Sequence, residues 1–173
     1  MTEQPDAPHD TTAASVVVLM VDDDEEDVYL TRRAFRNRPR LKTFHTVSGA
    51  DGLFRYLALA VEGDPDAPTP DLVLLDINLP GRNGFDILIE LRASERWRAL
   101  PVLVLSTSSS VGDVSRAHAC GANAFLVKPV AAADMKEIAD QVDAFWFTTA
   151  RLPACGRFGE GDRITDVPGR TTG

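Results

Sequence analysis

Four apolar runs in this chain each lead straight into a residue able to do chemistry. Val16 to Val21 ends in Asp22 and Asp23, Leu72 to Leu75 in Asp76, Val102 to Leu105 in Ser106, and Ala124 to Val127 in Lys128. Carboxylates brought close together repel, which raises their pKa values unless a cation joins them. Mg2+ suits that place because it takes one or two carboxylates, keeps several waters and reserves coordination for phosphate oxygens. A carboxylate beside such an ion can attack phosphorus and become an aspartyl phosphate. A hydroxyl and an ammonium nearby would hold the phosphoryl oxygens as charge develops.

These groups meet only if the apolar runs are neighbouring parallel strands, and the intervening segments supply the helices that such a sheet needs. A helix is expected from about Asp24 to Arg38, where Val28, Leu30, Thr31, Ala34 and Phe35 fall near helical spacing. Its first turn is acidic, its last carries Arg, and Pro39 stops it. Leu41 to Val47 reads as a strand, Ser48 as the cap of a helix reaching about Val61, and the stretch Glu62 to Pro70 as a loop. Further helices carry Phe85, Leu88, Ile89 and Leu91, then run from about Gly112 to Cys120 with Gly121 as a left-handed cap. A last one spans about Ala131 to Thr148. Strands alternating with helices in this way give an α/β fold, a (βα)5 doubly wound parallel sheet with right-handed crossovers. In the flavodoxin-like strand order 2-1-3-4-5, the strands ending in Asp22, Asp76, Ser106 and Lys128 adjoin, and ligands bind outside those carboxyl ends.

Composition narrows the function classes. The 173 residues carry 18 Lys+Arg against 26 Asp+Glu, a formal charge of −8, and this disfavours nucleic acid as a partner. No apolar stretch approaches the roughly 20 residues that cross a bilayer. Asp6, Pro8 and Asp10 stand where a signal peptide would be basic and then apolar, so the expected location is cytoplasmic. Cys120 and Cys155 lack metal-ligand spacing and read as free thiols. His9, His45 and His118 are scattered and carry no expected role. Residues 1–14 read as a tail, 15–148 as the domain, and 149–173 as an extension ending in a second tail.

The ordered set closely resembles the receiver domain of two-component response regulators over roughly Val16 to Trp146. The segments that carry the resemblance are Leu19-Met20-Val21-Asp22-Asp23, Leu74 to Gly81, Pro101 to Ser106 and Phe125-Leu126-Val127-Lys128-Pro129. The resemblance implies that Asp76 is the phosphoacceptor, that Asp22 and Asp23 form the acidic pair, and that Asn78 adds its backbone carbonyl to an Mg2+ site. It implies that Lys128 binds phosphate, that Ser106 and Phe125 are the switch positions, and that Asn78 and Ser108 tune the phosphate lifetime. Phe125 lacks the hydroxyl of the common Tyr, and Lys128-Pro129 looks like the family's cis peptide. Asp24, Glu25, Glu26 and Asp27 are read as a solvated helix start. Such a domain is not an enzyme beyond promoting its own phosphorylation and dephosphorylation.

Other readings weigh less. A haloacid-dehalogenase-like phosphohydrolase uses a similar set, but its nucleophile motif has a second Asp where this chain has Asn78, and its acidic pair follows the nucleophile. A flavodoxin would need a hydroxyl- and glycine-rich loop after the first strand, and an interaction module independent of phosphorylation would not need the intact set. Near the end, Met135, Ile138, Val142 and Phe145 form a stripe expected to pack on the sheet. Consecutive helical residues turn about 100°, so Phe145, Trp146 and Phe147 cannot all face one core, and a partner surface is expected. The segment Phe145 to Pro153 and the long loop Glu62 to Pro70 are similar to phytochrome-associated response regulators. That likeness implies a phytochrome histidine kinase as partner and a homodimer through Phe145, Trp146 and Phe147.

Overall fold

Burial on both sides explains why the first strand, β1 (Val16–Val21), is apolar at every position rather than at alternate ones. Leu19 and Val21 point into one core and Val16, Val18 and Met20 into another. The computed structural model describes residues 15–153, so the expected tail 1–14, Cys155 and the second tail 154–173 lie outside the described residues. The other strands are β2 (Leu41–Val47), β3 (Leu72–Leu75), β4 (Val102–Ser106) and β5 (Ala124–Val127). All pair in parallel in the order β2-β1-β3-β4-β5, as the sequence implies.

Among the described residues five α-helices cover the sheet: α1 (Glu25–Phe35), α2 (Gly49–Glu62), α3 (Gly84–Ala93), α4 (Val111–Ala119) and α5 (Met135–Val142). Leu53 and Leu57 of α2, Phe85 and Leu88 of α3 and Ala117 of α4 share the core with Leu19 and Val73. Phe35 of α1 and Ala139 and Val142 of α5 close the opposite face with Met20 and Leu74. Helix α1 ends earlier than expected, at Phe35, because Arg36 leaves helical geometry and Asn37 takes a positive φ of 64°. Ser48 stands at the N-cap of α2 without a capping side-chain bond, and Ile89 of α3 is exposed. Gly121 has the left-handed conformation expected of it, with φ 97°. No peptide bond among the described residues is cis, so Lys128-Pro129 is trans, the form an X–Pro bond favours by about 0.5–1 kcal/mol.

The last helix departs most from its helical pattern. A 3-10 turn (Ala132–Asp134) precedes α5, and Asp143–Thr149 continues it as a π-helical segment. A π turn closes from i to i+5, so the position five beyond Val142 faces inward. That position is Phe147, which is 3% exposed and packs 6.1 Å from Phe35, ring to ring. Phe145, expected on the inner stripe, is instead 55% exposed, while Trp146 is half-buried and meets it edge-on at 5.2 Å. The three rings do divide between core and surface, but with Phe145 and Phe147 exchanged. Truncating Phe147 to Ala should cost about 3–5 kcal/mol in urea unfolding. Phe145→Ala should stay within about 0.5 kcal/mol, and equal losses would contradict the π-helical register.

Candidate functional site

Strands β1, β3, β4 and β5 each deliver one polar group, Asp22, Asp76, Ser106 and Lys128, to a single crevice at the carboxyl edge, and α1 adds Asp27. The Lys128 ammonium, whose side chain is 3% exposed, lies 2.7 Å from Asp22 Oδ2, 2.7 Å from Asp27 Oδ2 and 2.8 Å from Asp76 Oδ2. An ammonium has three N–H donors, and each is used on a carboxylate here. Burial alone would lower the Lys128 pKa; the hydrogen bonds it donates to Asp22, Asp27 and Asp76 outweigh that and hold the group above the ordinary lysine range. Three carboxylates face one cation, which leaves two uncompensated negative charges. Separately, burial raises the Asp22 carboxyl above its usual range, against the pull of Lys128 and of the Asp24 N–H, and the Asp76 charge adds to the rise.

Backbone geometry aims the phosphoacceptor candidate. Asp76 Oδ1 accepts the Asn78 N–H at 2.9 Å, and the Asn78 side-chain amide donates to Ser106 Oγ at 3.0 Å. The loop after Asp76 returns tightly: the Gly84 N–H donates to the Ile77 carbonyl at 3.1 Å. A Cβ on Gly84 would lie 2.6 Å from the Asp76 carbonyl oxygen, so only glycine lets α3 begin that close. Ser106 is fully buried, and Ser108 donates its hydroxyl to Asp113 Oδ2 at 2.5 Å. Phe125 is half-buried on β5, opposite Val104 and packed against the core under α2, α3 and α4.

The sequence-derived set is thus largely brought together, with one residue added and one set apart. Asp22, Asp76 and Lys128 are in direct contact, and Ser106 and Asn78 adjoin them. Asp23 is exposed and borders two open clefts beside Ser48 and the Pro80-Gly81 turn. Asp27, read from the sequence as part of a solvated helix start, is the addition. Asp24 is the true cap, accepting the Glu26 and Asp27 N–H groups at 2.8 and 3.0 Å. A helical side chain leans toward its N-terminus, so the third residue after that cap reaches back over the strand ends. The sequence alone leaves Asp24 and Asp27 together in a solvated helix start; a cap at Asp24 is the signal that could have singled out Asp27.

The donor chemistry fits a hard divalent cation. Carboxylate oxygens of Asp22, Asp27 and Asp76 lie within 4.8 Å of one another, and oxygen-only ligands with a charge deficit of two suit Mg2+. Cys120 is unbridged, and no helix among the described residues is long and apolar enough to cross a membrane.

Comparison with known proteins agrees with this architecture. Residues 18–140 match the model of the response regulator receiver domain. The probable methanogenesis regulatory protein FilR2 of Methanothrix harundinacea is 39% identical over 84 residues, 49% of this chain and 54% of that protein. The chain thus spans about half the length of that relative. Response regulator Rcp1 of Synechocystis is 33% identical over 105 residues, 60% of this chain and 71% of Rcp1. Its Mn2+-bound crystal structure superposes with a TM-score of 0.66 at 29% identity, covering 80% of this chain and 99% of that one. The phosphorylated cyanobacterial phytochrome response regulator RcpA gives 0.69 at 30% identity, over 82% of this chain and 100% of RcpA. RPA3017, a response regulator in red light signaling of R. palustris, gives 0.72 at 34% identity, over 80% and 98% of the two chains.

Removing the shared cation tests the charge arrangement. Lys128→Met leaves the carboxylates buried without their partner, so the domain should lose about 3–5 kcal/mol in urea unfolding without divalent ions. A variant as stable as the parent would mean that the ammonium is not what holds the acidic groups together.

Proposed function

We propose, from the premise that the chain belongs to the response regulator receiver domain family, that Asp76 accepts a phosphoryl group from a histidine kinase. The observation that carries this reading is the state of the Asp76 carboxylate. It is nearly buried, with one oxygen on the Asn78 N–H and the other on the Lys128 ammonium. That geometry fixes the orientation of a nucleophile.

An Asp76 oxygen attacks phosphorus, and the P–N bond of a phosphohistidine, or the P–O bond of a small acyl phosphate, breaks. The result is an aspartyl phosphate. Asp22, Asp23 and Asp76, with the Asn78 backbone carbonyl, would hold Mg2+, which supplies neutralisation of the phosphoryl charge. Asp27 keeps the ammonium in position from the helix side. Phosphorylation removes the Asp76 carboxylate charge and presents phosphoryl oxygens to the same ammonium. The Ser106 hydroxyl is the neighbouring donor. Ser106 and Phe125 act as the switch, and Asn78 and Ser108 set how water reaches the phosphoryl group and hence its lifetime. The domain promotes only its own phosphorylation and dephosphorylation, and it works in the cytoplasm.

A phytochrome kinase is the partner we favour, because RcpA and RPA3017 are described as phytochrome and red-light response regulators. We take residues 15–148 as the receiver unit and the segment after it as a dimer contact. Phe147 is turned into the core, which leaves exposed Phe145 and half-buried Trp146 as the rings we assign to that contact.

Incubation with Mg2+ and an acyl phosphate should add one phosphoryl mass to the intact protein, and neither Asp76→Asn nor a metal-free sample should gain it. An adduct that survives Asp76→Asn would reassign the acceptor. In sedimentation analysis the protein should be dimeric, and Phe145→Glu should return it to monomer with its unfolding temperature retained. A dimer indifferent to that change would remove the aromatic surface from the interface.

A further inference from the structure

A second run of hydroxyls leads away from the phosphoacceptor. Ser106 Oγ accepts the Asn78 side-chain amide at 3.0 Å and the Ser108 N–H at 3.3 Å. A hydroxyl has two acceptor lone pairs and one proton. Both lone pairs are engaged, so the proton is what Ser106 has left to offer. Ser108 commits its own proton to Asp113 Oδ2 at 2.5 Å and accepts the Ser110 N–H at 3.3 Å. Ser110 is the N-cap of α4, and its Oγ accepts the Asp113 N–H at 3.1 Å.

Ser110 and Asp113 have the spacing of a capping box, in which the acidic side chain normally returns to the cap residue's own N–H. Here the Ser108 hydroxyl stands between them, so the bonds run from the Ser110 N–H to Ser108 and from Ser108 to Asp113. A carboxylate serving only as a favourable first-turn charge needs no such intermediary. The same Ser108 that completes the box also turns its backbone N–H onto Ser106.

We propose that Asp113 is a positioning residue for Ser106. By taking the Ser108 proton it fixes the Ser108 side chain and the loop backbone, and so keeps the Ser108 N–H on Ser106 Oγ. The Ser106 proton is then left for a phosphoryl oxygen on Asp76. The inference rests on Asp76 being the phosphoacceptor.

The test compares the parent with Ser108→Ala, Asp113→Ala, Asp113→Asn and the double Ala variant. Two readouts are taken: amide exchange at residue 108 without donor, and the rate of phosphoryl adduct formation with Mg2+ and acyl phosphate. Exchange should speed up about tenfold in each single Ala variant, the loss of one modest hydrogen bond, and the double variant should match either single. Adduct formation should slow to a common extent in the same three proteins. Asp113→Asn, which keeps an acceptor for Ser108, should restore most of the protection. Unchanged exchange in Asp113→Ala, or multiplying effects in the double variant, would overturn the proposal and leave Asp113 as a helix charge. Absence of any adduct on the parent would sink the phosphoacceptor reading, while the exchange readout would still decide the link.

Discussion

The structure turns on one buried ammonium that three carboxylates share. Lys128 can reach Asp22, Asp27 and Asp76 together only because β1, β3 and β5 end at the same edge and α1 starts directly above it. Isolated buried charges are costly, and their mutual attraction compensates only when the geometry satisfies each donor. Every N–H of the ammonium is used, yet the carboxylates still outnumber it. The fold therefore holds a partly neutralised acidic pocket whose oxygen donors fit a divalent cation.

Most of this was legible in the sequence because buried parallel strands leave a strong mark. Runs such as Leu72 to Leu75 are apolar at every position, their ends are sharp, and the polar residue after each one faces the crevice. Asp22, Asp76, Ser106 and Lys128 follow from that rule alone. Asp27 did not, because an acidic first turn serves the helix dipole equally well in solvent, and only the cap at Asp24 fixes which carboxylate leans back over the strands. The exchange of Phe145 and Phe147 was hidden for a different reason. A 3.6-residue period assumes an α-helix throughout, and nothing in the pattern from Met135 to Phe145 announces the π turn at Asp143.

Function is divided between the two faces and the edge they share. The core under α2, α3 and α4 carries the loops that aim Asp76 and Ser106, with Gly84 letting α3 begin against the Asp76 backbone. The opposite core joins α1 to α5 and to the π-helical segment, where Arg38 pairs with Asp140 and Arg40 donates to the Phe147 carbonyl. Charge at the strand ends and aromatic surface after α5 therefore belong to one packed body.

The central claim is that the acidic pocket carries a charge deficit that a divalent cation fills. Calorimetric titration of the unphosphorylated protein with Mg2+ tests it most directly, run beside Asp22→Asn. The account predicts one saturable site per chain, weakened by at least about tenfold in the variant, since losing a carboxylate ligand costs no less than losing a group that only orients one. No saturable binding, or binding that Asp22→Asn leaves unchanged, would contradict it.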